Sequence, residues 1–70
     1  MPANEIMRNN VNKLRTEREV TQESLAEKIG VSRQTVIAIE KGNYTPSVLL
    51  AIKLARFFNA PVEKIFIYEK

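Results

Sequence analysis

Apolar residues recur along the chain at intervals of three and four, the spacing that places them on one face of a helix, and breaks in that spacing divide the chain into five helical stretches. The first starts at Asn10, an acceptable N-cap, and runs to about Arg18, turning Val11 and Leu14 inward. The second runs from Gln22 to about Ile29 behind a Thr21 cap, with Leu25, Ala26 and Ile29 as its buried stripe. The third, from Arg33 to about Lys41, is capped by Ser32, buries Val36 and Ile39, and ends at Gly42, where a left-handed residue commonly stops a helix. Asn43-Tyr44-Thr45-Pro46 is a loop, because the residue before a proline avoids helical backbone. Ser47 caps a fourth helix that reaches about Asn59, and Pro61 opens a short fifth through Ile65 or Phe66. The two ends leave two readings. Glu5-Ile6-Met7-Arg8 and Ile65-Phe66-Ile67-Tyr68 either pair as a small antiparallel ribbon, or stay as a frayed start and a tail packed irregularly on the bundle. The expected fold class is therefore all-α, a single domain over residues 1–70 with or without that ribbon.

The segment 21–41 meets the steric demands of a helix-turn-helix. Two helices must cross steeply over a very short connection; Ala26 gives a small contact where they pass, and Gly30 permits the positive φ needed to leave the first helix abruptly. Val31 then plugs the corner. With Val36 and Ile39 inside, the 100° advance per residue leaves Arg33, Gln34, Ile37, Ala38 and Lys41 turned away from the core. Arg33 and Gln34 fall in the first turn, the part of such a helix that reaches base edges in a major groove. Arginine bonds O6 and N7 of guanine in a fork, glutamine bonds N6 and N7 of adenine, and Ile37 or Ala38 suits a thymine methyl. The candidate base readers are thus Arg33, Gln34, Ile37 and Ala38. Gln22 stands at a helix N-terminus, where free N–H groups attract an anion. Ser32, Thr35, Lys41, Asn43 and Tyr44 complete the candidate phosphate contacts, which set register and affinity rather than preference. For Tyr44, a ring packed on its own loop is an equal alternative.

Composition sharpens this only slightly. The net charge of +3 and isoelectric point near 9.5 lean towards a polyanion, but only a docking motif gives that lean meaning. With no Cys and no His there is no disulfide, zinc-finger ligand set or imidazole base, and scattered Lys, Glu and Ser offer no nucleophile–base pair. The chain reads as a non-enzyme that needs no metal or other cofactor. The first residues are polar and lack a signal-type hydrophobic region, and the most apolar run, Val48 to Phe58, is too short to cross a bilayer. A soluble, cytoplasmic protein is expected.

At Leu14-Arg15, Thr21-Gln22-Glu23, Leu25-Ala26, Gly30-Val31-Ser32, Val36, Ile39-Glu40, Gly42, Pro46-Ser47, Ala55 and Ile65-Phe66 the chain resembles the lambda-repressor/Cro-like, or Xre, family. The resemblance covers roughly Val11 to Phe66. It implies a five-helix bundle, sequence-specific binding of double-stranded DNA at an operator as a dimer, and usually repression of transcription. It also implies that Arg15 and Glu40 form a partly buried ion pair, making Arg15 a scaffold residue. Family members often carry Glu where Ser24 stands, completing a capping box with Thr21, and polar residues where Leu49 and Phe57 stand.

That last departure bears on assembly. The fourth helix is apolar nearly all round apart from Lys53, Arg56 and Asn59. If Val48, Ala51, Ile52, Ala55 and Phe58 form its core face, then Leu49, Leu50, Leu54 and Phe57 need another cover, with Phe66, Ile67 and Tyr68 of the tail supplying part of it. A self-complementary patch over residues 47–70 gives a two-fold homodimer with recognition helices about 34 Å apart, matching a palindromic site. Three other readings stay open: the tail folds over its own helix, the patch clasps a regulatory protein partner as in an antitoxin-like module, or the basic chain binds nucleic acid without sequence preference.

Overall fold

Three helices begin on a hydroxyl oxygen that accepts a backbone N–H from the first turn: Thr21 from Ser24 at 3.0 Å, Ser32 from Thr35 at 3.2 Å and Ser47 from Leu50 at 3.2 Å. The same three helices end on left-handed residues, Gly30 (φ 76°), Gly42 (φ 81°) and Asn59 (φ 53°). These local signals divide the computed structural model, which describes residues 6–69, into β1 (Ile6–Asn9), α1 (Val11–Glu17), α2 (Gln22–Ile29), α3 (Arg33–Lys41), α4 (Val48–Phe58), α5 (Val62–Ile65) and β2 (Phe66–Glu69). Asn10 holds the N-cap position of α1 but does not cap it, contrary to expectation. Its side-chain amide donates instead to the Lys64 carbonyl at 2.9 Å, and the Val11 N–H goes to Asn9 Oδ1 at 3.2 Å.

The two ends do pair. β1 and β2 form an antiparallel ribbon in the register Ile6↔Glu69, Met7↔Tyr68, Arg8↔Ile67 and Asn9↔Phe66. Relative to the sequence expectation the ribbon is displaced by one residue: Glu5 lies outside the described residues, and Ile65 closes α5 with its side chain fully buried. The hydrogen bond from Asn10 N–H to the Ile65 carbonyl, 2.8 Å, continues the pairing into the bundle.

Val11, Leu25, Ala26, Ile29, Val36, Ile39, Leu50, Leu54, Phe58 and Ile65 make one core, with Leu14, Val20 and Val31 packed at its margin. The inward face of α4 differs from the expected one. Leu50 and Leu54 are 7% and 0% exposed, whereas Val48, Leu49 and Ile52 are 76%, 64% and 43% exposed. Leu50 and Leu54 are therefore core residues and cannot form a pairing surface; Val48 and Ile52 lie outside. Phe57 is half-buried, edge-on to Phe58 with ring centroids 5.0 Å apart. Both stripes have helical spacing and share Phe58, so periodicity alone cannot choose between them; burying the bulkier Leu50–Leu54–Phe58 stripe fills the space between α2 and α5.

Arg18 ties the end of α1 to the end of α4. Its guanidinium donates to the carbonyls of Phe57 (3.3 Å) and Phe58 and lies over the Phe58 ring at 5.6 Å. Charged hydrogen bonds of this kind contribute about 1.5–3 kcal/mol, less at a partly solvated site. Arg18→Ala is expected to lower stability by about 1–2 kcal/mol in denaturant titration with no loss of helix content; a variant as stable as wild type would show that water replaces the guanidinium without penalty.

Candidate nucleic-acid interface

The positive φ of Gly30 turns the chain from α2 into α3 within three residues, and the Val31 N–H returns to the Ala26 carbonyl at 2.9 Å. Burial of Val36 and Ile39 then fixes the rotation of α3. Arg33, Gln34 and Lys41 are exposed, while Ile37 and Ala38 are half-buried, so two polar side chains stand free of the core in the first turn of α3. Beside it opens a groove of about 600 Å³ lined by Arg15, Thr21, Gln22, Glu23 and Arg33. The groove brings the start of α2 and the start of α3 to one surface.

Beneath that surface Glu40 gathers donors from two other helices. Arg15 Nε donates to Oε2 at 2.6 Å and Nη2 to Oε1 at 3.3 Å, while Asn12 and Gln22 each reach Oε1 at 3.1 Å. Arg15 Nη1 also donates to the Val20 carbonyl at 2.9 Å. The paired side chains are 12% and 6% exposed. Burial pushes the Glu40 carboxyl upward, but the hydrogen bonds from Arg15, Gln22 and Asn12 and the Arg15 charge outweigh it and hold it below its ordinary value. Sequence reasoning did not find Asn12 or Asn9 in these roles. Asn9 Nδ2 donates to the Ile39 carbonyl at 2.8 Å, pinning the end of β1 to α3. Neither asparagine carries a local signal, because each partner lies on an element distant in sequence.

The helix-turn-helix family model matches residues 11–65. An HTH-type transcriptional regulator of Methanocaldococcus jannaschii is 57% identical over 63 residues, which are 90% of this chain and 96% of that protein. The cryptic phage CTXphi transcriptional repressor RstR of Vibrio cholerae is 40% identical over 52 residues, 74% of this chain and 47% of its own length. Among solved structures, the restriction-modification controller protein C.AhdI from Aeromonas hydrophila superimposes with a TM-score of 0.72 at 29% identity, over 79% of this chain and 83% of that one. The chain belongs to the helix-turn-helix family of transcriptional regulators.

As a lambda-repressor-like helix-turn-helix regulator it is a DNA-binding protein, and α2 and α3 are the motif. The remaining sequence-derived positions fall around that motif. Ser32 and Thr35 are occupied with each other: their hydroxyls lie 3.1 Å apart and Ser32 also caps α3. Gln22 is half-buried, with one amide N–H on Glu40. Lys41 and Asn43 are exposed at and just past the other end of α3. Tyr44 is exposed and borders a second groove, of about 230 Å³, with Val31, Leu49 and Lys53. Among the described residues no helix is long and apolar enough to cross a membrane.

Proposed function

We propose that this regulator is a repressor that binds a palindromic operator as a homodimer in the cytoplasm, with α3 in the major groove. The observation that carries this reading is the first turn of α3: Arg33 and Gln34 are exposed on a helix whose opposite face is locked by Val36 and Ile39, beside a groove running to the start of α2. Arg33 and Gln34 read base edges, with Ile37 and Ala38 offering apolar contact at the margin of the groove. Gln22, Ser32, Thr35, Lys41, Asn43 and Tyr44 hold phosphates on either side, whichever hydroxyl of the Ser32–Thr35 pair accepts from the other keeping its proton for a phosphate. No cofactor enters this mechanism. A relative named as a transcriptional repressor supports repression over activation.

Dimerisation rests on the outward face of α4. Val48, Leu49 and Ile52 are exposed together, and an apolar groove of about 140 Å³ lined by Pro46, Val48, Ala51, Val62 and Phe66 extends that face to the ribbon, where Ile67 and Tyr68 are also exposed. Large exposed apolar patches mark interaction sites. In the interface proposed here, Leu49, Phe66, Ile67 and Tyr68 stay from the sequence expectation, Val48 and Ile52 join them, and half-buried Phe57 is at the edge. Ile52→Glu is expected to convert a dimer to a monomer by analytical ultracentrifugation and to remove cooperative binding to an inverted repeat, without changing the helical spectrum. A wild-type chain that sediments as a monomer at micromolar concentration would instead favour the second reading, in which the same patch clasps a different protein.

The reading as a whole is tested by selecting bound sequences from a random duplex library at near-physiological salt. Recovery of an inverted repeat supports it; a folded protein that enriches no motif overturns it.

A further inference from the structure

We infer that Glu23 is a specificity-determining residue that acts through Arg33: its carboxylate keeps the Arg33 guanidinium off the DNA backbone and leaves it for a guanine edge. The inference rests on the base-reading role proposed for Arg33 and gives that role a positioning partner on α2. Both side chains are exposed, and both line the groove of about 600 Å³ between the starts of α2 and α3.

The charge balance of that groove carries the inference. Its charged lining residues are Arg15, Glu23 and Arg33. Arg15 is already spent: Nε and Nη2 donate to Glu40 at 2.6 Å and 3.3 Å, and Nη1 donates to the Val20 carbonyl at 2.9 Å. Gln22, also in the lining, has one amide N–H on Glu40 at 3.1 Å. What stays open to a ligand is one cation and one anion, Arg33 and Glu23, and neither side chain has a hydrogen bond or ion pair among the described residues. A surface that binds DNA through phosphates alone works by surplus positive charge; this opening has none.

Such a balance separates the two partners that an arginine finds on DNA. A phosphate brings a full negative charge into the space that Glu23 lines, and the repulsion offsets much of what Arg33 gains. Guanine O6 and N7 accept the same two N–H groups without a net charge, so the carboxylate opposes them far less. At physiological salt the screening length is about 8 Å, so a ligand inside the groove feels both charges. Phosphates held elsewhere contribute alike on every sequence and drop out of the ratio between operator and mixed DNA. Glu23 also has a purely structural effect, since an acid in the first turn of α2 interacts favourably with the helix dipole. That effect changes stability and not the choice of DNA.

The test is fluorescence anisotropy across a salt series, using a mixed-sequence duplex and a duplex recovered from selection, with a thermal melt of each variant. Glu23→Gln is expected to raise affinity for the mixed-sequence duplex about three- to fivefold, the upper end of what an exposed charge pair contributes. Its salt slope on that duplex should steepen by about one per protomer, because Arg33 becomes a phosphate ligand there. Affinity for the selected duplex should change little, so the ratio between the two falls by the same factor. Glu23→Asp should keep the wild-type ratio. Glu27→Gln, an equal loss of charge on the same helix outside the groove, should leave the ratio unchanged. In an Arg33→Ala background, Glu23→Gln should alter neither the ratio nor the slope. A ratio unaffected by Glu23→Gln overturns the inference, whatever happens to the melting point. So does an equal fall from Glu27→Gln or Glu23→Asp, or a fall that persists in the Arg33→Ala background. Failure of the underlying reading looks different: Arg33→Ala alone then keeps the wild-type preference for the selected duplex.

Discussion

Replacing Arg33 and Gln34 together by alanine is expected to abolish discrimination between the selected operator and a mixed-sequence duplex while leaving the protein folded. Both side chains are exposed, neither belongs to the core, and alanine is the strongest helix former, so α3 is not weakened by the change. What disappears is readout. Each bidentate contact discriminates by about 1–3 kcal/mol, so the pair accounts for about 2–6 kcal/mol per half-site. That is roughly 30-fold to 20,000-fold in specific affinity for each half-site engaged. The phosphate contacts remain, so binding to the mixed-sequence duplex should fall only slightly and keep most of its salt slope. Anisotropy titrations on both duplexes read the two effects separately. If the double variant still prefers the operator, base recognition resides elsewhere, and the half-buried Ile37 and Ala38 are too apolar and too recessed to supply it alone.

The parts of this fold that are legible in the sequence are those dictated locally. Thr21, Ser32 and Ser47 can each be read as caps because a hydroxyl oxygen serves the N–H groups of the next turn whatever lies beyond. Gly30 and Gly42 can be read as stops for the same reason, since positive φ suits glycine in any context. The end of α1 is less legible: Glu19 takes φ 57° there, a conformation with no compositional flag in a glutamate. It is held because the Glu19 and Val20 N–H groups return to the Thr16 and Arg15 carbonyls at 3.0 Å. The rotation of α4 is not legible at all. With apolar residues on almost every side, its inward stripe is decided by the shape of α2 and α5 rather than by its own spacing. This is why spacing puts Leu50 and Leu54 on the surface and Val48 and Ile52 in the core, the reverse of where they lie. The consequence for the site is unequal. The rotation of α3, which has one apolar stripe, can be derived and with it the exposure of Arg33 and Gln34; the apolar surface on α4 needs the structure. The Glu40 cluster lies between these cases, since the resemblance indicates the Arg15 pairing but nothing points to Asn12 or Gln22.

That cluster carries the second large effect. Arg15→Ala is expected to destabilise the protein by about 3–5 kcal/mol, because it strands a carboxylate whose surroundings were built to receive a guanidinium. A chain of 70 residues has a total stability of about 4–10 kcal/mol, so the variant should be marginally folded at 25 °C, with a large drop in melting temperature. The double variant Arg15→Met/Glu40→Leu, which removes both charges, should recover much of the stability, since apolar replacement of a whole buried pair is often neutral. The acid limb follows from the direction of the Glu40 shift. A carboxyl held below its ordinary value of 4.5 contributes stability that is fully present above that value and is lost as pH falls through the lower, folded value. The stability difference between wild type and Glu40→Gln should therefore be flat above pH 4.5 and shrink as the pH drops further. Because Glu40 also holds the Gln22 amide at the mouth of the α2 groove, the two variants separate scaffold from contact. If Arg15→Ala melted like wild type yet showed no affinity for DNA, Arg15 would be a phosphate ligand in the groove it lines, and the ion pair would be incidental to the fold.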